Sequence, residues 1–160
     1  MNIHVEQLGD SLATRHWVQL VFSEPSNLAA LSEADRTPTF RRWLLEEIRQ
    51  NKALALMPVV DNIAAGLFWG RPLEGNMYSV HQFVMPTHRK GLLSVQIAKA
   101  CVAKAFELLK TTTHLMGITP VDNRAALLTA KRAGFVQVGV LPGFHDDKDC
   151  AILIRRRDDG

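Results

Sequence analysis

The stretch FVMPTHRKGLLSVQIAKACVAKAFELLK, from Phe83 to Lys110, decides how the remainder of the chain is read. Phe83, Val84 and Met85 read as the end of a strand. Pro86 stops it, and His88, Arg89, Lys90 and Gly91 make a short basic turn into a long apolar helix. A helix that starts directly after such a turn presents unpaired N–H groups and the positive end of its dipole at one point. That point suits an anion, and the cationic side chains of the turn make phosphate or pyrophosphate its natural guest. The same residues also fit an ordinary solvated strand-to-helix turn, so the rest of the chain must choose.

The 160 residues are 47% hydrophobic and 22% charged, enough apolar material for one core, which predicts a single domain over 1–160. The net charge is +3, and the basic residues are scattered except at 88–90 and in Arg155, Arg156 and Arg157. Asp158 and Asp159 follow that last run, which therefore reads as a solvated tail; without interleaved aromatics, no nucleic-acid partner is expected. Cys101 and Cys150 sit in apolar segments and read as small core residues, which fits a reducing, cytoplasmic setting. No basic stretch followed by an apolar run opens the chain, and no window approaches the roughly 20 apolar residues of a span, so no membrane partner is expected. The histidines lack ligand spacing, and no metal site is expected.

Ile3, Val5 and Leu8 alternate with polar residues and predict a first strand, and a helix from Ser11 ends before Pro25. Glu24 to Asp35 fits either a short helix or an ordered loop. Thr37-Pro38 signals a second helix, with Phe40, Trp43, Leu44 and Ile48 as its buried stripe. Ala53 to Val60 and Ile63 to Trp69 form a hairpin through Asp61-Asn62, and a loop from Gly70 to Asn76 leads into a strand from Met77 to Met85. The helix beyond the basic turn carries Val95, Ala98, Val102, Ala105, Phe106 and Leu109 on one face, wide enough to require a sheet beneath it. His114 to Thr119 is a strand, and Asn123 to Ala133 is a helix with Gly134 as a left-handed cap. Phe135 to Leu141 and Cys150 to Arg155 are the last strands. The order implies an α/β, mixed α+β fold with helices on both faces of a sheet.

The segment His88-Arg89-Lys90-Gly91-Leu92-Leu93 resembles the Gln/Arg-x-x-Gly-x-Gly/Ala loop of the GNAT superfamily, the acetyl-CoA-dependent N-acyltransferases. Asn123-Arg124-Ala125-Ala126 through Ala133-Gly134-Phe135 is similar to that family's Asn-x-x-Ala…Gly-Phe segment, and the element order and Gly66 in IAAGLFWG agree. The resemblance covers nearly the whole chain, Met1 to Arg156. It implies a mixed, mostly antiparallel sheet of six to seven strands, splayed between the fourth and fifth. In this chain the splay would lie between Gln82–Met85 and Gly117–Thr119. It also implies acetyl-CoA as co-substrate, with pantetheine at the backbone of Phe83 and Val84. Pyrophosphate would lie against the loop residues His88, Arg89, Lys90, Gly91, Leu92 and Leu93, and Asn123 would flank the pantetheine arm. Asn123 equally reads as a plain helix cap.

Acetyl transfer to an amine needs a base, donors for the carbonyl oxygen and a proton for the leaving thiolate. His81 is the candidate base, since its ordinary pKa near 6.5 lets it accept a proton at neutral pH; it also fits a half-buried histidine bonded to a neighbouring strand. The N–H of Val84 is the candidate oxyanion donor. The family's acidic tyrosine would fall at Ala130, and the only tyrosine, Tyr78, lies elsewhere. The implied function is acetyl transfer from acetyl-CoA to a small-molecule or peptide amine, whose identity carries no signature here. His88, Leu93 and Ala130 depart from the family pattern and keep two alternatives open. One is a non-catalytic GNAT-fold module, for example a virion or assembly component with a homo-oligomeric or protein partner; the other is a CoA-binding sensor. The acidic residues of Phe144 to Asp149 would attract a cationic amine, or form a solvated hairpin tip.

Overall fold

The computed structural model describes residues 1–159. Its strands are β1 (Ile3–Gln7), β2 (Leu54–Val60), β3 (Ile63–Ala64), β4 (Gly66–Pro72), β5 (Met77–Val84), β6 (His114–Pro120), β7 (Val136–His145) and β8 (Lys148–Arg156). The helices are α1 (Leu12–Ser23), α2 (Pro25–Ala29), α3 (Pro38–Arg49), α4 (Leu93–Leu108) and α5 (Arg124–Arg132). One sheet runs β1-β2-β4-β5-β6-β8-β7, with β3 beside β2. All its pairs are antiparallel except β5 with β6, as the α/β reading with its splayed fourth and fifth strands expects. Among the described residues, no helix is long and apolar enough to cross a membrane.

Strand alternation builds a separate core on each face of the sheet. Leu54, Leu56, Phe68, Tyr78, Val80, Leu115 and Leu153 point to the face covered by α4, where Ile97, Cys101 and Ala105 have no solvent exposure. Ala55, Leu67, Trp69 and Phe83 point to the opposite face and pack on Val18, Val21 and Phe22 of α1 and on Leu44 and Ile48 of α3. Buried side chains of this size each contribute roughly 1.5–3 kcal/mol. The helix starts are capped as their sequences predict: Ser11 accepts from the Thr14 N–H, Thr37 from Phe40 and Asn123 from Ala126. Gly134 takes φ +96° at the end of α5.

Three expectations need correction. β4 does not stop at Trp69 but runs through Gly70 to Pro72, because Gly70, Arg71 and Pro72 keep their pairing with Val80, Ser79 and Tyr78. The expected loop between the last strands is mostly paired: β7 and β8 meet at a two-residue turn, Asp146 and Asp147, with φ of 50° and 61°. Such turns favour glycine or asparagine, and the two aspartates hid the hairpin. Nor is the run at 155–157 a free tail. The Arg157 guanidinium donates to the carbonyls of Phe106 (2.8 Å), Leu109 (2.6 Å) and Thr112 (2.7 and 2.9 Å), and lies 4.9 Å from the Phe106 ring. It satisfies the Phe106 carbonyl that the end of α4 leaves open and joins the Thr112 N–H at the Leu109 carbonyl, at the negative end of the helix dipole. Arg157→Ala is expected to lower stability by roughly 2–3 kcal/mol in urea denaturation, with Arg157→Lys recovering only part of the loss, because a point charge cannot reach three carbonyls at once.

Candidate active site

The site begins where β5 and β6 part. They pair only from Met77–His114 to Ser79–Met116, although β5 continues to Val84 and β6 to Pro120. Beyond that point β5 follows β4, and β6 follows β8. On β5, the Met77 carbonyl accepts from Leu73 and the Met85 N–H donates to Ala65. With antiparallel alternation, Ser79, His81 and Phe83 therefore exchange their bonds with β4, and Gln82 and Val84 turn theirs toward the gap. The same parity, fixed by Arg157 N–H to Thr113 and Val121 N–H to Asp149, turns Ile118 of β6 toward the gap. This corrects one expected contact: the backbone of Phe83 faces Leu67, and the open edge belongs to Gln82 and Val84. Gly66 holds the other edge of β5 close, since a Cβ there would lie 2.1 Å from the Phe83 carbonyl oxygen. From Ala64 to Phe68 the chain takes one more residue than β2 does from Val59 to Leu56, and the Trp17 indole donates to the Gly66 carbonyl at 2.9 Å in that bulge.

A cavity of about 420 Å³ occupies the gap. Its walls come from both faces of the sheet: Ser94, Ala98, Ala126 and Ala130 on the side of α4 and α5, Ser26, Asn27 and Leu31 on the side of α1 and α2. His81, Gln82 and Val84 line it from β5, and Gly117, Ile118 and Thr119 from β6. The His81 ring stacks on Trp69, centroids 5.0 Å apart and planes 16° apart. The ring is exposed on the wall of the groove, so water reaches it. Crowding depresses its pKa below 6.5; Asp35 opposes the shift and Arg71 adds to it. The imidazole is thus neutral at physiological pH. Tyr78 is not in the cavity. Its hydroxyl accepts from the Leu54 N–H at 2.9 Å in the core, and burial raises its pKa.

The basic turn meets the cavity at the start of α4. Leu92 stands at the cap position and contributes no side-chain bond to the open N–H groups, and Gly91 supplies the positive φ, 51°, that turns the chain. Leu93 packs against the α4-side core, while Ser94 lines the cavity. With its first glycine at Gly91, the Gln/Arg-x-x-Gly-x-Gly/Ala pattern keeps His88 and Leu93 at its two ends, as the sequence reading has it. His88 pairs its Nδ1 with the Thr87 hydroxyl at 2.9 Å. Asn123 lines the cavity while its Oδ1 caps α5 at 3.2 Å.

The Arg89 side chain does not stand free for an anion. It donates to the Val84 carbonyl (2.7 Å), the Ser26 hydroxyl (2.6 Å) and Asn27 Oδ1 (2.5 Å), with Glu24 at 3.5 Å. Asn27, 1% exposed, passes the restraint on to the Val21 carbonyl at 2.8 Å. Glu24 is held below the usual carboxylate range by the Ser26 hydroxyl first, and its oxygen also caps α2 through the Asn27 N–H. Ser26 and Asn27 had no sequence signal as site residues; their role follows from a partner more than sixty positions away. At the hairpin tip, Asp146 accepts from the Glu33 N–H at 3.2 Å and pairs with Arg36 at 3.7 Å, so this carboxylate is engaged rather than solvated.

No family model and no curated protein sequence matches the chain. Solved structures do match in fold. Spermidine N-acetyltransferase from Vibrio cholerae in complex with CoA and spermine gives a TM-score of 0.78 at 12% identity, over 98% of this chain and 96% of that one. Aminoglycoside acetyltransferase AAC(6')-Ib with ribostamycin and coenzyme A gives 0.76 at 12%, over 99% and 96%. Ribosomal-protein-S5-alanine acetyltransferase from Vibrio fischeri gives 0.75 at 14%, over 99% and 95%. The chain has the GNAT fold. Arg89→Ala is expected to lower stability by roughly 1.5–3 kcal/mol in denaturation without any ligand, while Lys90→Ala leaves it unchanged; equal effects would remove the clamp reading.

Proposed function

We propose that this chain transfers an acetyl group from acetyl-CoA to an amine. The observation that carries the reading is the gap that crosses the sheet, with the unpaired backbone of Gln82 and the open N–H of Val84 along one side and the uncapped start of α4 at one end. An extended arm bearing amides finds hydrogen-bond partners along such an edge, and a diphosphate finds N–H groups and a favourable dipole at the helix start. Acetyl-CoA supplies the acyl group on a thioester. The amides from Lys90 to Val95 would hold its pyrophosphate, with Ser94 facing it, and Gln82, Val84 and Asn123 would flank its pantetheine arm. The Arg89 side chain would act by bracing α2, not by pairing with phosphate. Structural neighbours holding CoA support this assignment.

The amine would enter from the α2 side, where His81 lies. Neutral His81 takes a proton from the attacking nitrogen as the C–N bond forms, and the Val84 N–H donates to the carbonyl oxygen as it gains charge. The C–S bond then breaks and sulfur keeps the electron pair. A thiolate is a better leaving group than an alkoxide or an amide anion, so alanine at 130 in place of an acid is compatible with turnover. A non-catalytic scaffold would have no need of a passage through its own sheet, and the open cavity favours the enzyme. The acceptor class stays at the level of an amine: neighbours take aminoglycosides or polyamines, and nothing in this cavity selects among such amines.

Acetyl-CoA at a hundred times its Kd should stabilise the fold by about 2.7 kcal/mol, read as a rise in melting temperature; no rise at millimolar concentration would reject the reading. Across a panel of amines, kcat/KM should carry an acid limb below pH 6.5, because the depressed His81 pKa keeps the base neutral down to that range. His81→Ala should remove that limb and cost about 10²–10⁴ in rate. An unchanged profile would take His81 out of the mechanism and leave the enzyme in place.

A further inference from the structure

Gln82 carries a polar atom that the fold leaves unsatisfied. Its Nε2 is shielded from solvent and has no hydrogen-bond partner among the described residues. Most buried donors in native structures find a partner, so an orphan calls for a reason. Its surroundings supply one. Two residues before Val84, Gln82 shares the α4-facing side of β5 with Val80 and Val84 and has Phe68 opposite it on β4. Ala98 and Ala130 add apolar walls to the cavity on that side. None of these side chains accepts a hydrogen bond. Packing alone would be served better by a leucine or methionine, since an apolar residue there has no donor to strand.

We propose that Gln82 is a ligand-binding residue whose side-chain amide donates to a carbonyl oxygen of the bound acyl-pantetheine arm. The inference rests on the proposed function and deepens it. Gln82 then serves the ligand twice, with its backbone along the open edge and with its side chain beneath it. The alternation of the strand makes this possible: the same parity that turns the backbone of Gln82 toward β6 sends its side chain to the α4 face, while His81 projects to the α2 face. One dipeptide thus presents a base to the acceptor side and a donor to the thioester side.

Gln82→Met keeps the length of the side chain and removes the donor. The apo variant is expected to melt at or above the wild-type temperature, because an unpaired buried amide is gone. Acetyl-CoA should nevertheless bind about tenfold more weakly, the loss of one hydrogen bond at a buried site. That opposition of signs separates a ligand role from a structural one. Gln82→Glu, which keeps the shape and replaces the donor by an acceptor, should also weaken binding. Comparing CoA with acetyl-CoA locates the partner: a loss for both points to a pantetheine amide, and a loss for acetyl-CoA alone to the thioester carbonyl. Unchanged affinity in Gln82→Met, or a parallel fall of apo stability with affinity, would overturn the proposal. Wild-type protein that binds neither CoA nor acetyl-CoA would instead bring down the proposed function, and this inference with it.

Discussion

The parting of β5 from β6 after three paired positions is the constraint on which the rest of the site depends. A strand in mid-sheet normally satisfies both of its edges, and an unpaired edge in a protein interior is costly. Here each strand keeps one partner over its full length, β4 for β5 and β8 for β6, so the loss is confined to the groups facing the gap. Two separate cores make that tolerable. The α1–α3 layer and the α4 layer each hold their own half of the structure together, and neither needs the missing rungs.

Two arginines keep the elements around the gap in place. Arg157 ties the end of β8 to the far end of α4, and Arg89 ties the end of β5 to α2. Both come from runs of basic residues that resemble surface charge in the sequence. A guanidinium is suited to the task because its planar fork reaches several carbonyls at once and does not lose its charge when partly buried. In the basic turn the most conspicuous cation therefore faces the protein.

Local chemistry was legible in the sequence, and long-range pairing was not. Ser11, Thr37, Asn123 and Gly134 announced the ends of their helices because a cap or a left-handed residue acts within a few positions. The apolar face of α4 announced the sheet it covers. By contrast, whether Phe83 or its neighbours present open backbone groups depends on the register with β4, fixed by bonds from Leu73 and to Ala65 outside the strand. The side that each residue after Gly91 presents has the same source: only packing tells that Leu93 turns inward and Ser94 toward the cavity. Sequence named His81 and Asn123 as candidates and both line the cavity, but the stacking of the His81 ring on Trp69 follows from packing the sequence does not reveal.

β7 forms one border of the sheet and leaves Val136, Val138 and Val140 exposed. A run of valines on an unprotected edge invites self-association between copies, and ultimately fibrils. The strand is nevertheless irregular, with register shifts between Gln137 and Gly139 and between Leu141 and His145, and with Pro142, which has no N–H, inside the second. Templated growth needs a long unbroken row of donors and acceptors, and this border offers only short ones. Irregularities that look like flaws in the final hairpin thus act as a safeguard of solubility.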